Sequence, residues 1–156
     1  MFTKKNLIKS DLNLRVISNN LNRLCQFLDE MYDINAGGCC YITGVIAKLL
    51  EKDNVDFSVI VFECDCDDFY DLDCSQYHYA ISLNRNIING NDYVDIKYSE
   101  FTNVSASDIF EHYYKCDLNM FYDRGNNEFI KETIKRFYGN FTKNLREPWF
   151  SNYSKW

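Results

Sequence analysis

The stretch that decides the fold is NAGGCCYITGVIAKLL, residues 35–50. Its first part is small and polar, and Gly37 and Gly38 stand directly before two cysteines. Apolar residues then recur at helical spacing, which predicts a helix over residues 40–52. The N-terminus of a helix offers backbone N–H groups that have no partner within the helix. The stretch therefore predicts either a reactive thiol at a helix N-terminus or a small apolar pair buried in a core.

The bulk composition bounds the class of protein. The chain has 156 residues, of which 46% are hydrophobic and 17% aromatic, so it can bury a packed core within one domain. Its formal net charge of −6 gives no electrostatic reason to expect nucleic acid or an anionic membrane as a partner. The longest apolar-rich runs, 41–50 and 57–62, are far shorter than the roughly 20 residues that a membrane span needs.

The cysteines and the N-terminus indicate a compartment. Lys4 and Lys5 are not followed by the continuous apolar segment of a secretory signal. The seven cysteines are odd in number and irregularly spaced, whereas a secreted disulfide framework uses an even set. We therefore expect reduced thiols and a cytoplasmic location.

Helical and strand patterns occupy separate parts of the chain. Apolar residues at helical spacing predict helices, and β-branched or aromatic runs predict strands. The expected helices are 11–32 (with a break near 18–20), 40–52, 108–114 and 128–138, and the expected strands are 57–63, 77–83 and one or two within 87–98. This segregation is typical of an α+β fold. We expect a single domain over residues 1–156, with its core in about 11–138 and an aromatic C-terminal tail in 139–156.

The helix N-terminus at Cys40 suits nucleophilic chemistry. Its N–H groups and partial positive charge favour a thiolate, and the preceding glycines let a substrate approach the backbone. A histidine must then accept the thiol proton, and His78 in the expected strand 77–83 is the candidate. If the next strand returns through a three-residue turn at 84–86, Asp92 lies opposite His78 and can orient its ring.

Neighbouring residues supply alternatives for these roles. A slip of one residue in the strand pairing brings Asn91 or Tyr93 opposite the histidine instead of the aspartate. Cys39 is the alternative nucleophile, although the aromatic residue directly after the second cysteine favours the second one. Asn35 and Gly38, in the loop before the helix, are the candidates for holding an oxyanion.

The segment Gly38-Cys39-Cys40-Tyr41 resembles the Gly-x-Cys-aromatic motif that opens the catalytic helix of papain-like and transglutaminase-like cysteine enzymes. The order that follows is also similar to that family: a helix, a strand, and then HYAISLN with its histidine at a strand start. The match covers residues 35–95. It implies a papain-like (transglutaminase-like) core with N-terminal helices that include the cysteine helix, an antiparallel sheet that carries the histidine, and C-terminal helices.

The resemblance also implies an activity. It predicts a cysteine hydrolase, a peptidase or amidase, that acts on a peptide or protein substrate without a cofactor. Its triad would be Cys40, His78 and Asp92, with Asn91 as the alternative third member. Size, composition and the ending NMFYDRGNNEFIKETIKRF are similar to small cysteine-peptidase-like proteins of tailed bacteriophages. A phage protein of this kind would be found in the host cytoplasm or in the virion.

A non-catalytic protein on the same fold is the alternative function. The papain-like family usually has a glutamine shortly before its nucleophile, whereas Ile34 stands here. Trp149, Phe150 and Trp156 in the tail are residues of the type that anchors protein interfaces. In this alternative, the chain is a virion or assembly component that docks on a protein partner through its tail.

Two metal sites are rival hypotheses around the strand histidine. Cys64, Cys66, Cys74 and His78 offer four zinc ligands, and a zinc-bound imidazole could not serve as a base. The acidic loop 64–74 carries alternating carboxylates, but it lacks the Gly and the terminal Glu of an EF-hand calcium loop. The expectation is therefore a solvated acidic loop and no metal.

The second histidine has a simple structural explanation. His112 lies in the expected helix 108–114, beside Tyr113 and Tyr114, and no nucleophile is near it in sequence. We therefore expect it at the surface or in packing.

Overall fold

The chain forms an α+β structure of helices packed on an antiparallel sheet, as seen in a computed structural model that describes residues 10–35, 38–63, 77–93, 95–115 and 124–144. Within these residues, the elements are α1 (Asp11–Tyr32), α2 (Cys39–Lys52), β1 (Ser58–Glu63), β2 (Tyr77–Leu83), β3 (Asn86–Ile88), a 3-10 turn (Asn91–Tyr93), β4 (Tyr98–Phe101), α3 (Ala106–Lys115) and α4 (Arg124–Asn144). The α+β class predicted from the segregated patterns is confirmed.

Helix α1 runs unbroken through the polar segment where a break was expected. Ser10 caps its start, and the left-handed Asp33 (φ 50°) ends it. Ser18 and Asn20 are buried, and each side chain donates a hydrogen bond to the backbone carbonyl four residues earlier, at 2.8 and 3.1 Å. These bonds satisfy the polar groups within the helix itself, so the segment stays helical.

The sheet has the strand order β3-β2-β1-β4, and each neighbouring pair is antiparallel. Successive residues of a strand point to opposite faces, so the pairs Val61–Tyr79 and Phe62–His78 lie on different faces. On one face, Val59 and Ile81 pack with residues of the helices in a large core cluster. The other face carries a smaller cluster of Ile60, Phe62 and Ala80, with Ile87, Tyr93 and Ile96 packed against it. Both faces of β2 are therefore covered.

The hairpin between β2 and β3 turns through two residues, not three. Asn84 and Arg85 both have positive φ, at 48° and 68°, as in the turn type whose twist matches a two-residue hairpin. Leu83 consequently pairs with Asn86. The expected three-residue turn at 84–86 is therefore wrong by one residue. Asp92 does not pair with His78, because β3 ends at Ile88 and Asp92 lies in the 3-10 turn.

Helix α3 packs closely on α2, and this packing sets the position of the Cys40 thiol at the N-terminus of α2. A Cβ atom added at Gly44 of α2 would lie 2.9 Å from the Phe110 ring of α3, so the two helices approach through the glycine. Ser105 precedes α3 and forms a reciprocal pair with Asp108: the Asp108 N–H donates to the serine hydroxyl at 3.1 Å, and the Ser105 N–H donates to the carboxylate at 3.0 Å. Helix α4 continues to Asn144, beyond the expected end at Tyr138.

Among the residues that the structure describes, no helix has the length and apolar character required to cross a membrane.

Candidate functional site

Cys40 is the second residue of α2 and faces α3. Its side chain is 6% exposed, and its Sγ donates to the backbone carbonyl of Ile109 at 3.6 Å. The thiol thus lies at the seam that Gly44 and Phe110 bring together. It belongs to the core cluster on the helix-covered face of the sheet.

A pocket of about 360 Å3 opens beside this thiol. Its lining comes from α2, from the helix-covered face of the sheet and from α3, and it includes Cys40, Val61, Tyr79, Ile109 and His112. Pockets of about 300–1,000 Å3 that are mainly apolar and hold a few convergent polar groups are the usual form of a small-molecule site. The polar groups of its lining are the Cys40 thiol, the phenols of Tyr77 and Tyr79, the Asp108 carboxylate and the His112 imidazole.

The imidazole of this pocket belongs to His112, which was expected only at the surface or in packing. Its Nε2 atom is 2.5 Å from the Tyr79 hydroxyl, and the two ring centroids are 5.3 Å apart. Ile109 and His112 are one turn apart on α3, so both residues face the pocket. One signal in the sequence could have placed His112 at the pocket. It follows the buried Ile109 by one helical turn, and residues one turn apart lie on the same side of an amphipathic helix.

His78 lies on the opposite face of the sheet from Cys40. It pairs with Phe62 across the β1–β2 ladder and is 2% exposed. Its ring stacks on Tyr93 with a centroid distance of 3.9 Å and an interplanar angle of 6°. Its Nε2–H donates to the backbone carbonyl of Asn89 at 2.5 Å, since a carbonyl can only accept. The structure therefore makes His78 a core residue of the second face.

The predicted triad is only partly assembled. Asp92 is an exposed residue of the 3-10 turn, and Asn91 opens the same turn. Burial lowers the pKa of His78 from its ordinary value and outweighs the hydrogen bond to the Asn89 carbonyl and the charges of Asp29 and Asp92, which raise it. The structure brings Asp92 near His78 but does not bring Cys40 to either, because the sheet lies between them.

The candidate oxyanion residues are held in the loop that precedes α2. The Asn35 amide forms reciprocal hydrogen bonds with the Asn89 amide, at 3.2 and 2.9 Å, so one of its two N–H donors is already used. Gly38 is buried and stands at the N-cap of α2, where its carbonyl accepts from the N–H of Ile42 at 3.1 Å. Cys39, the alternative nucleophile, is the first residue of α2 and is 4% exposed.

Several predicted features lie outside the described residues. These are Gly37, the zinc candidates Cys64, Cys66 and Cys74, the acidic loop 64–74, and the aromatic residues Trp149, Phe150 and Trp156. Within the residues that are described, no group of three or more His, Cys, Asp or Glu side chains is arranged to hold a metal ion.

Comparisons of the chain with protein-family models, with curated proteins and with solved structures found no match. The interpretation of the site therefore depends on its own geometry.

The buried His78 predicts a pH dependence of stability. Its pKa in the folded chain is below the ordinary 6.5, so in the window below 6.5 the unfolded chain binds more protons. We expect the free energy of unfolding to be highest above this window and to fall as the pH decreases through it. Urea denaturation between pH 7.5 and 5.0 measures this slope.

Removing the buried ring by His78→Gln should flatten the slope of stability against pH. Equal slopes for wild type and His78→Gln would contradict this prediction.

Proposed function

We propose that the chain is a cysteine-nucleophile hydrolase of peptide or amide bonds, in which His112 takes the role expected of His78. One observation carries the proposal: Cys40 and His112 line the same pocket, and the Tyr79 hydroxyl is hydrogen-bonded to the imidazole. The resemblance of Gly38-Cys39-Cys40-Tyr41 to the papain-like motif supports the choice of Cys40. A papain-like core and a phage origin belong to the same proposal.

Tyr79 is the positioning residue in this mechanism. A neutral imidazole has one N–H donor and one acceptor nitrogen. When the Nε2–H of His112 donates to the Tyr79 oxygen, Nδ1 becomes the acceptor for the Cys40 proton. In this mechanism the Cys40 side chain rotates away from the Ile109 carbonyl, its partner at 3.6 Å, toward the imidazole one turn along α3. Tyr79 then does for His112 what a carboxylate does in a Ser-His-Asp triad.

The reaction proceeds in two acyl-transfer steps. His112 takes the thiol proton, and the sulfur of Cys40 forms a bond to the substrate carbonyl carbon. The imidazolium returns the proton to the amine as the C–N bond breaks, which leaves a thioester. Water then attacks the thioester and gives its proton to His112, and the proton returns to the sulfur as the C–S bond breaks. Backbone N–H groups in the first turn of α2 stabilise the oxyanion in both steps.

Alkylation of the native protein by iodoacetamide, mapped by mass spectrometry over pH 5–9, tests the proposal. We expect Cys40 to react at pH values well below the ordinary thiol pKa, which is about 8.5. We expect His112→Gln to slow its reaction at pH 6.5 by roughly tenfold or more, because the thiolate is lost. Cys25 is an internal reference, since burial and the Asp29 charge raise its pKa to about 12.

His78→Gln is the matched control, because it removes the same ring from the other face of the sheet. Its Cys40 reaction rate should equal that of wild type. Loss of reactivity in His78→Gln with retention in His112→Gln would overturn the assignment of the base. If Cys40 reacts no faster than Cys39 in wild type, the hydrolase proposal fails. The non-catalytic scaffold that docks through Trp149, Phe150 and Trp156 is then favoured.

A further inference from the structure

A second cavity lies on the other side of α3, between α2, α3 and α4. Its volume is about 690 Å3, which is larger than the pocket beside the thiol and within the usual size of ligand sites. Tyr41, Val45 and Phe110 give it an apolar wall. Phe110 and Ile109 are adjacent in sequence yet line different cavities, so α3 separates this groove from Cys40.

Lysine side chains line the rim of this groove. Lys48 and Lys52 are four residues apart on α2, and Lys131 and Lys135 are four residues apart on α4. Residues four apart lie on one side of a helix, so two pairs of ammonium groups border the same cavity. This positive charge is local to the groove, since the whole chain carries a net charge of −6.

The acidic residues at the groove do not neutralise these lysines. Glu128 and Glu132 also line the cavity, so four lysines stand against two carboxylates. Lys135 and Glu132 approach to 4.0 Å, with side chains that are 56% and 59% exposed. An ion pair this exposed is weak and can exchange its partner for a ligand.

We propose that this groove binds an amphipathic organic anion, with an apolar body against Tyr41, Val45 and Phe110 and an acidic head group held by the lysines. An acyl or aryl carboxylate is the chemical class that fits both parts of the wall. The charge complementarity favours an anion over a neutral ligand, and the apolar wall favours an organic anion over an inorganic one. The inference is independent of the hydrolase proposal, because Cys40 does not line this groove.

The probe for this site is 8-anilinonaphthalene-1-sulfonate, an aromatic anion whose fluorescence rises in apolar surroundings. We expect saturable binding to the full chain, weakened by added salt and displaced by decanoate. The double variant Lys48→Gln/Lys131→Gln should weaken binding by roughly fivefold or more, since two exposed ion pairs are lost. Lys97→Gln, at an exposed position outside the groove, is the charge-matched control and should bind as wild type does.

Two further ligands separate the parts of the proposal. Inorganic phosphate should not displace the probe at equal ionic strength, because it has no apolar body. N-phenylnaphthalen-1-amine, which lacks the sulfonate, should bind equally to wild type and to the double variant. The proposal is overturned if the double variant binds the sulfonate as tightly as wild type does, or if Lys97→Gln weakens binding equally. Binding that survives in Cys40→Ser shows that the groove and the thiol site are separate.

Discussion

Phe62→Ala should lower the free energy of unfolding by about 3–5 kcal/mol, the range for removing a buried phenylalanine ring. Phe62 is 1% exposed and stands at the centre of the smaller core cluster. Its ring centroid lies 6.0 Å from that of His78, 5.4 Å from Tyr93 and 5.6 Å from Tyr98. Removing it leaves a cavity between three aromatic rings that are attached to separate segments of backbone.

Phe27→Ala removes the same atoms from a site that is 56% exposed, so it is the matched control. Phe27→Ala should lower the free energy of unfolding by less than about 1 kcal/mol, because most of that ring is already in contact with water. Guanidinium denaturation of both variants, analysed with a common slope, gives the comparison. If the two substitutions cost the same, the face of the sheet that carries Phe62 is not a packed core layer.

Asn89→Ala should lower the free energy of unfolding by about 2–4 kcal/mol. Asn89 has a φ of 65°, a conformation that costs a residue with an ordinary side chain about 1–2 kcal/mol. The same substitution removes two amide hydrogen bonds to Asn35, each worth about 1 kcal/mol. The Asn89 side chain therefore joins the end of β3 to the loop before α2.

Asn89→Gly separates the two contributions. Glycine adopts the positive φ without strain, so this variant should lose only the contribution of the amide bonds to the free energy of unfolding. Asn35→Ala removes the same bonds from the other side. The double variant Asn35→Ala/Asn89→Gly should therefore lower the free energy of unfolding little more than either single variant does. Additive losses in the double variant would show that the amide pair does not stabilise the fold.

The long periodic elements of this fold were predictable from sequence, because their patterns reflect one buried face. The spacing in 11–32 predicts α1, and the run 57–63 predicts β1 within a residue. The strand β4 was not predicted as a separate element, because all four of its residues are exposed and its pairing is with the distant β1. A local pattern does not reveal a partner that the chain reaches only after several other elements.

His78 was expected to meet the Cys40 thiol, but the structure places it on the other face of the sheet, and the reason is similar. In YHYAISL, residues 77–83, alternate positions point to opposite faces, but both faces of β2 are covered. When both faces are buried, composition gives no sign of which residues meet the helices. The side chain that faces Cys40 in this strand is Tyr79, and the imidazole that joins it comes from α3.

The thiol position itself was predictable, since it depends on local signals. Glycines before an apolar helical pattern place Cys40 in the first turn of α2, and the structure confirms this position. The presence of His112 in the same pocket was not predictable, because His112 is far from Cys40 in the chain and reaches the pocket through the packing of α3 on α2. Contacts of that kind depend on tertiary packing rather than on any motif.

The central position of β1 has a consequence for how the chain opens. Val59, Ile60, Val61 and Phe62 have a strand partner on each side, in β2 and in β4, and their side chains contribute to both core clusters. Their amide hydrogens are exposed to solvent when the sheet and both layers separate, so the free energy of opening at these amides should equal that of global unfolding. Deuterium uptake at β1 would thus report the stability of the whole domain from a single peptide.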